Sequence, residues 1–205
     1  MTKILYLLSL LLLLLFLLLQ DAVASDQVTS DSLKIHRLLA DYADSIDRKN
    51  WIKYRDLFTQ DAFIDYTAAG GKKGNVDEVA KWMEKVFNIM DSQHLISNIQ
   101  VNFLSTQEKA TVRAAFNNPC TVKYLPFLQP FFTTVGWYIV DVKRTMHDQE
   151  PGRGTWRIEH LQEEILFNSV QVAVPVILTI IIGVVYTICR WWCMESGSDL
   201  RMHRD

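Results

Sequence analysis

Between residues 35 and 46, apolar side chains recur every three or four positions: Ile35, Leu38, Leu39, Tyr42, Ala43 and Ile46. That spacing gathers them on one face and predicts an amphipathic helix. Its start is expected near Ser30-Asp31-Ser32, whose side-chain oxygens can cap free backbone N–H groups. Asp41 and Asp44 point away from the apolar face. Asp47 falls at its edge, roughly 110° from the centre at about 100° per residue, and can lean inward or outward. The stretch "NWIKYRDLFTQDA" predicts a second, short helix with Trp51, Tyr54, Leu57 and Phe58 turned inward. In "AFIDYTA" the period becomes two, so Ile64 and Tyr66 share one strand face while Phe63, Asp65 and Thr67 share the other. "AAGGKKGN" reads as a turn or loop, and Val79, Trp82, Met83, Val86 and Phe87 carry a third helix.

Four strand-like runs follow: "HLISNIQVNFLS", "KATVRAAFNN", "GWYIVDVKRTM" and "GTWRIEHLQEEILF", with a Pro-Gly-Arg-Gly turn before the last. Helices first and strands afterwards predict an α+β fold, a curved antiparallel sheet wrapped on the N-terminal helices. A sheet bent over a helix makes a cone, and the mouth of a cone is a natural place for a small ligand.

The two ends of the chain break the amphipathic pattern. Residues 1–24 place one Lys before an almost pure Leu run and close on Ala22-Val23-Ala24, the layout of a cleaved signal peptide, with an uncleaved anchor as the alternative. Residues 170–189 are uncharged and about long enough for one transmembrane helix. Arg190, Arg201 and Arg204 follow it, whereas Glu163, Glu164 and Asn168 precede it. These flanks predict a single-pass membrane protein whose domain, residues 25–168, is lumenal or extracellular and whose tail, residues 190–205, is cytosolic.

A formal net charge of −2 supplies no basic patch, which argues against nucleic acid as a partner. Cys120 is the one cysteine of residues 25–168 and has no intradomain disulfide partner, so burial is expected for it. Cys189 and Cys193, at the membrane border, suit either palmitoylation or simple apolar packing. The histidines show no paired metal-ligand spacing, "GGKKG" lacks the spacing of a phosphate loop, and no serine sits in a nucleophile elbow. No cofactor and no metal are expected.

Five stretches, in this order, carry a resemblance: "YADSIDRKNWIKYRDLFTQDAFIDY", "GGKKGNVDEVAKWM", "SQHLISNIQV", "GWYIVDVKRT" and "GTWRIEHLQEE". Over most of Ser32 to Phe167 the chain resembles SnoaL-like members of the nuclear-transport-factor-like superfamily, which includes scytalone dehydratase and steroid isomerases. The resemblance implies a cone with its functional groups on the inside. It places Asp47 on the family's first-helix Asp, Tyr66 on its strand Tyr and His94 on its first sheet His. Two departures stand out: Ile46 replaces a first-helix Tyr, and "VRAAFNN" holds no second histidine.

An Asp that accepts from a His ring fixes the tautomer and raises the basicity of the other nitrogen, which makes His94 a conceivable general base. A phenol such as Tyr66 can hold an oxygen that gains negative charge. Asp47, Tyr66 and His94 are therefore the expected catalytic trio of a membrane-anchored lyase or isomerase that abstracts a proton beside the carbonyl of an apolar molecule. The alternative is a non-catalytic ligand-binding or dimerisation module. His160 and Asp65 are secondary candidates with a structural role expected. The Phe- and Pro-rich "NNPCTVKYLPFLQPFFTTVGWY" suits a rim over the mouth of the cone, a membrane contact, or a homodimer through the sheet.

Overall fold

A computed structural model of the chain describes residues 2–105, 107–123, 131–145, 154–171, 180, 182–188 and 190. In chain order the elements are α1 (Thr2–Asp47), α2 (Trp51–Asp56), β1 (Phe58–Asp65), a one-turn 3-10 helix (Thr67–Ala69), β2 (Lys73–Asn75), α3 (Val76–Asn88), β3 (Met90–Ser92), β4 (Leu95–Phe103), β5 (Lys109–Val122), β6 (Phe131–Thr145) and β7 (Thr155–Gln171). The strands form one sheet in the order β2-β1-β7-β6-β5-β3, with β4 also paired to β5. Mixed α+β architecture with a curved sheet is as expected, with one correction. The sheet is not wholly antiparallel, because β1 runs parallel to β7. Antiparallel pairing is enforced by a short hairpin, and β1 and β7 are separated by every later element, so no local turn constrains their direction.

The sheet bends where its ladders slip. Register shifts lie between Ser97 and Gln100 in β4, where Asn98 takes φ 48°, and between Val135 and Gly136 in β6. Bulges of this kind add local twist and turn a strand through a corner. At Gly136 the ladder closes so far that a Cβ would lie 2.1 Å from the Glu164 carbonyl oxygen, so the corner requires glycine. The predicted apolar face of α1 fills the hollow of this bend, with Ile35, Leu39 and Ile46 fully buried. α2 begins on Asn50, whose side chain accepts from the Lys53 N–H at 3.0 Å. The Trp51 ring beside it packs on Tyr54 and Phe87. α2 is shorter than expected, since Phe58 to Ala62 already belong to β1.

The expected cap near Ser30 is also corrected, because α1 runs through that position without a break. With N–H groups already bonded within the helix, Asp31 has no cap to serve and turns inward. It is 2 % exposed and accepts from Trp156 Nε1 at 3.2 Å, Lys34 Nζ at 3.1 Å, Gln27 Nε2 at 2.7 Å and the Arg144 guanidinium. Burial, the largest influence, raises its carboxyl pKa, but these donors outweigh it and leave the group at about 2. The latch ties α1 to β6 and β7. Asp31→Ala leaves the Trp156 N–H unpaired and Arg144 with only Glu108 and the Gln107 carbonyl, and is expected to cost about 3 kcal/mol, read as a lowered urea midpoint at unchanged slope. Because the folded pKa is depressed, this contribution is complete above about pH 4 and is lost as pH falls through 2.

At the ends, Val170 and Gln171 are the last residues of β7 and not the first of a membrane span. Most of the expected span, including residues 172–179, lies outside the described residues, as do Cys193 and the tail beyond Arg190. Among the described residues no helix is long and apolar enough to cross a membrane, so the expected anchor and signal peptide have no support here. Leu10 to Phe16 of α1 stand 52–65 % exposed all round the helix.

Candidate functional site

α1 ends at Asp47, and the chain turns at once through Lys49 at φ 57°. A carboxylate at a helix C-terminus meets the unfavourable end of the helix dipole and needs compensating donors. Asp47 has three. Its Oδ1 accepts from His94 Nδ1–H at 2.6 Å and from Ser92 Oγ–H at 2.9 Å, and its Oδ2 accepts from the His94 backbone N–H at 2.8 Å. Burial, the largest single influence, raises the Asp47 carboxyl pKa, but the His94 ring and backbone and the Ser92 hydroxyl together hold it below the usual range. Lys49 Nζ bonds Asp91 at 3.0 Å and so pins this end of α1 to β3, next to Ser92. The choice left open by the helical wheel is thereby settled: Asp47 leans toward the sheet and stays half-buried.

His94 lines a cavity of about 200 Å³ between α1, α3 and the sheet. That is below the roughly 300–1,000 Å³ of pockets for drug-sized ligands, so a small guest is implied. Its far wall is the α3 face carrying Trp82, Met83 and Phe87. Gly71 closes another side, packed so tightly that a Cβ would lie 2.8 Å from Tyr66 Cβ and 3.0 Å from the Trp82 ring. Of the expected trio, Tyr66 and His94 reach the cavity. Asp47 does not line it and acts on it through the His94 ring.

Tyr66 is not a lone phenol. Its hydroxyl lies 2.8 Å from that of Tyr42 and 3.0 Å from that of Tyr54, and burial raises the pKa of all three. Tyr138 also hydrogen-bonds Tyr42, so four hydroxyls carry four hydrogens, the three contacts use three, and one O–H of the network remains to donate. Tyr42 and Tyr66 are the members that reach the cavity. Tyr42, one helical turn before Ile46, thus supplies a first-helix phenol where the departure at Ile46 removes one. Its place on the apolar face hid that role.

Three more groups come from the sheet. Asn118 on β5 donates through Nδ2 to the Tyr138 hydroxyl at 2.7 Å, and its Oδ1 has no partner. Cys120 is buried as expected, with its thiol pushed up to about 11 by burial. Glu163, counted from the sequence only as an acidic residue before the expected span, lies on β7 and turns into the fold. It is 8 % exposed, its Oε2 has no hydrogen-bond partner among the described residues, and burial with the nearby Asp65 pushes its carboxyl up to about 8. A legible signal existed: the period of two in "LQEEI" puts Glu163 on the same face as Leu161 and Ile165.

The secondary candidates lie elsewhere. Asp65 accepts from the Thr67 N–H at 2.9 Å and its hydroxyl at 2.5 Å, closing the turn after β1. His160 stacks on Phe63 outside the cavity. Among the described residues no cluster of three or more His, Cys, Asp or Glu side chains could hold a metal ion. Of the Phe- and Pro-rich segment, residues 124–130 lie outside the described residues, while its flanks contribute Asn118, Cys120, Phe132 and Thr134 to the cavity wall.

A bent sheet closed by helices around one small, mostly apolar hollow defines a cone-shaped pocket protein. The chain belongs to the SnoaL-like domain family, whose profile matches residues 27–162. It is 37 % identical over 73 residues, 35 % of its length, to the uncharacterized protein Rv2910c of Mycobacterium tuberculosis, and it spans about half the length of the curated relatives it matches. Among solved structures it is similar to a putative scytalone dehydratase from Novosphingobium aromaticivorans, at TM-score 0.60 and 20 % identity over 71 % of this chain and 90 % of that one. It is also similar to a type 2 hexachlorocyclohexane dehydrochlorinase, LinA, at TM-score 0.59 and 16 % identity over 73 % and 93 %. At these identities the likeness concerns the fold alone.

Proposed function

We propose that the cavity binds a small, apolar, carbonyl-bearing molecule and that His94, positioned by Asp47, removes a proton beside the carbonyl in a lyase or isomerase reaction. The observation that carries this reading is the Asp47–His94 pair at the cavity edge. With Nδ1 donating to Asp47, Nε2 is left as the basic nitrogen, and it has no partner among the described residues. The phenol pair Tyr42–Tyr66 supplies an O–H to an oxygen gaining charge. The dehydratase and dehydrochlorinase neighbours are named for eliminations, reactions in which a C–H proton is lost.

The test is hydrogen exchange. The full-length chain, in a mild detergent and deuterium oxide, is given small ketones, and deuterium at the carbon next to the carbonyl is followed by mass spectrometry. Enzyme-dependent exchange that disappears in His94→Ala, while the ketone still binds, is the expected result. Binding with no exchange in either protein supports the non-catalytic ligand-binding module instead.

The membrane tether rests on the exposed Leu10–Phe16 belt together with the uncharged run after Gln171. Resistance of the full chain to carbonate extraction is the expected outcome, and release into the supernatant removes the tether. A homodimer through the sheet is the proposed assembly, checked by light scattering.

A further inference from the structure

Glu163 is a buried acid that the proton-abstraction step does not use. It projects from β7 into the same hollow that His94 borders, and its Oε2 meets no donor. A native fold rarely leaves such an atom unpartnered without a use for it. Among the described residues, the titratable groups around it are phenols, one carboxylate, the Cys120 thiol and, at the border of the hollow, the His94 ring, whose Nδ1 is held by Asp47. α1 brings Tyr42, α2 brings Tyr54, the end of β1 brings Asp65 and Tyr66, and β6 brings Tyr138. α3 presents only apolar side chains to the cavity, and no Lys or Arg among the described residues lines it. Buried and with no Lys or Arg beside it among the described residues, the carboxyl keeps its proton at neutral pH, in line with its rise to about 8. A protonated carboxyl is a hydrogen-bond donor. Nearby on the same wall, Asn118 Oδ1 is an acceptor that also lacks a partner.

We propose that Glu163 is the ligand-anchoring group of the cavity: its O–H donates to the carbonyl or hydroxyl oxygen of an uncharged apolar molecule, and Asn118 Oδ1 accepts from a hydroxyl when the guest carries one. This inference rests on reading the hollow as a ligand pocket and specifies its guests. Neutral ketones, aldehydes and alcohols are admitted. Carboxylates are excluded, because no cation meets them and Glu163 repels them once it ionises.

The experiment is infrared difference spectroscopy on the full-length chain in dodecyl maltoside, which has no carbonyl band of its own. Wild type minus Glu163→Gln is expected to show a protonated-carboxyl band at pH 7 that vanishes by pH 10. Saturating isotope-labelled cyclohexanone is expected to move that band to lower frequency. Glu163→Leu, checked for an unchanged melting profile, is expected to bind cyclohexanone about tenfold more weakly, the worth of one hydrogen bond to a buried donor. Absence of the band at pH 7 overturns the proposal, as does a band that cyclohexanone leaves in place. Tighter binding of cyclohexylammonium than of cyclohexanone at pH 7 overturns it too, since an ionised acid would prefer the cation. His94→Ala is expected to keep the band shift. An unmoved band in the wild type with intact deuterium exchange therefore fails the anchor alone, and a moved band without exchange fails the proton-abstraction reading alone.

Discussion

Asp47→Asn is expected to slow ketone hydrogen exchange by about a thousandfold or more while leaving ligand binding within a few-fold. The carboxylate accepts three hydrogen bonds at once, two of them from His94. Asparagine keeps the shape but not the chemistry. Its carbonyl oxygen can still accept from the His94 backbone N–H, and its amide then turns a donor toward Nδ1. The imidazole responds by moving its proton to Nε2, the nitrogen facing the cavity, and a protonated Nε2 cannot act as a base. Binding persists because Asp47 does not line the cavity. Asp47 is thus a positioning residue, and the split between exchange rate and affinity identifies it as one. Equal losses of both would mean that the substitution had merely loosened β3 and the His94 turn.

The second large effect concerns stability. Between pH 5 and pH 9 the wild-type protein is expected to lose about 4 kcal/mol of unfolding free energy that Glu163→Gln does not lose, because the rise from 4.5 to about 8 is worth roughly 1.4 kcal/mol per pH unit and most of it falls inside this window. The sign follows from proton counts. Above about pH 4.5 the unfolded chain has released the Glu163 proton and the folded chain has not. Stability therefore falls with rising pH until the folded carboxyl ionises near 8, and is flat beyond. Glutamine carries no titrating proton, so its curve lacks this slope. Such a loss is a large part of the roughly 5–15 kcal/mol by which domains are stable. Urea titrations of both proteins at pH 5, 7 and 9 read it directly. Parallel curves would place the Glu163 carboxyl in water and remove the anchor as well.

A ligand oxygen that accepts from the Glu163 O–H holds the proton on more tightly, so bound protein is expected to be more stable than free protein and to keep declining to a higher pH before its curve levels off. The same acid that weakens the empty fold would then select its guest.

Much of this site was legible from spacing. The three-and-four recurrence from Ile35 to Ile46 set the buried face of α1, and the alternation in "AFIDYTA" set Ile64 and Tyr66 inward, where both are found. Asp47 and His94 came from the family resemblance, and the fold joins them by two hydrogen bonds. Tyr42 was placed in the core correctly, but a tyrosine on an apolar face looks the same whether its hydroxyl is idle or part of a chain. Asp31 was misplaced because its cap pattern is local, whereas its partners Arg144 and Trp156 are more than a hundred residues away.

Read alone, the order of residues determined which faces turn inward and therefore that helices would fill a bent sheet, since periodicity is a property of the chain itself. Only the tertiary structure decided which polar groups are sealed in together. Burial and charge neighbours are sums over elements distant in sequence, so the same Glu in "LQEEI" is a solvated carboxylate on an open strand and a neutral donor once β6, the tyrosines and Asp65 close around it.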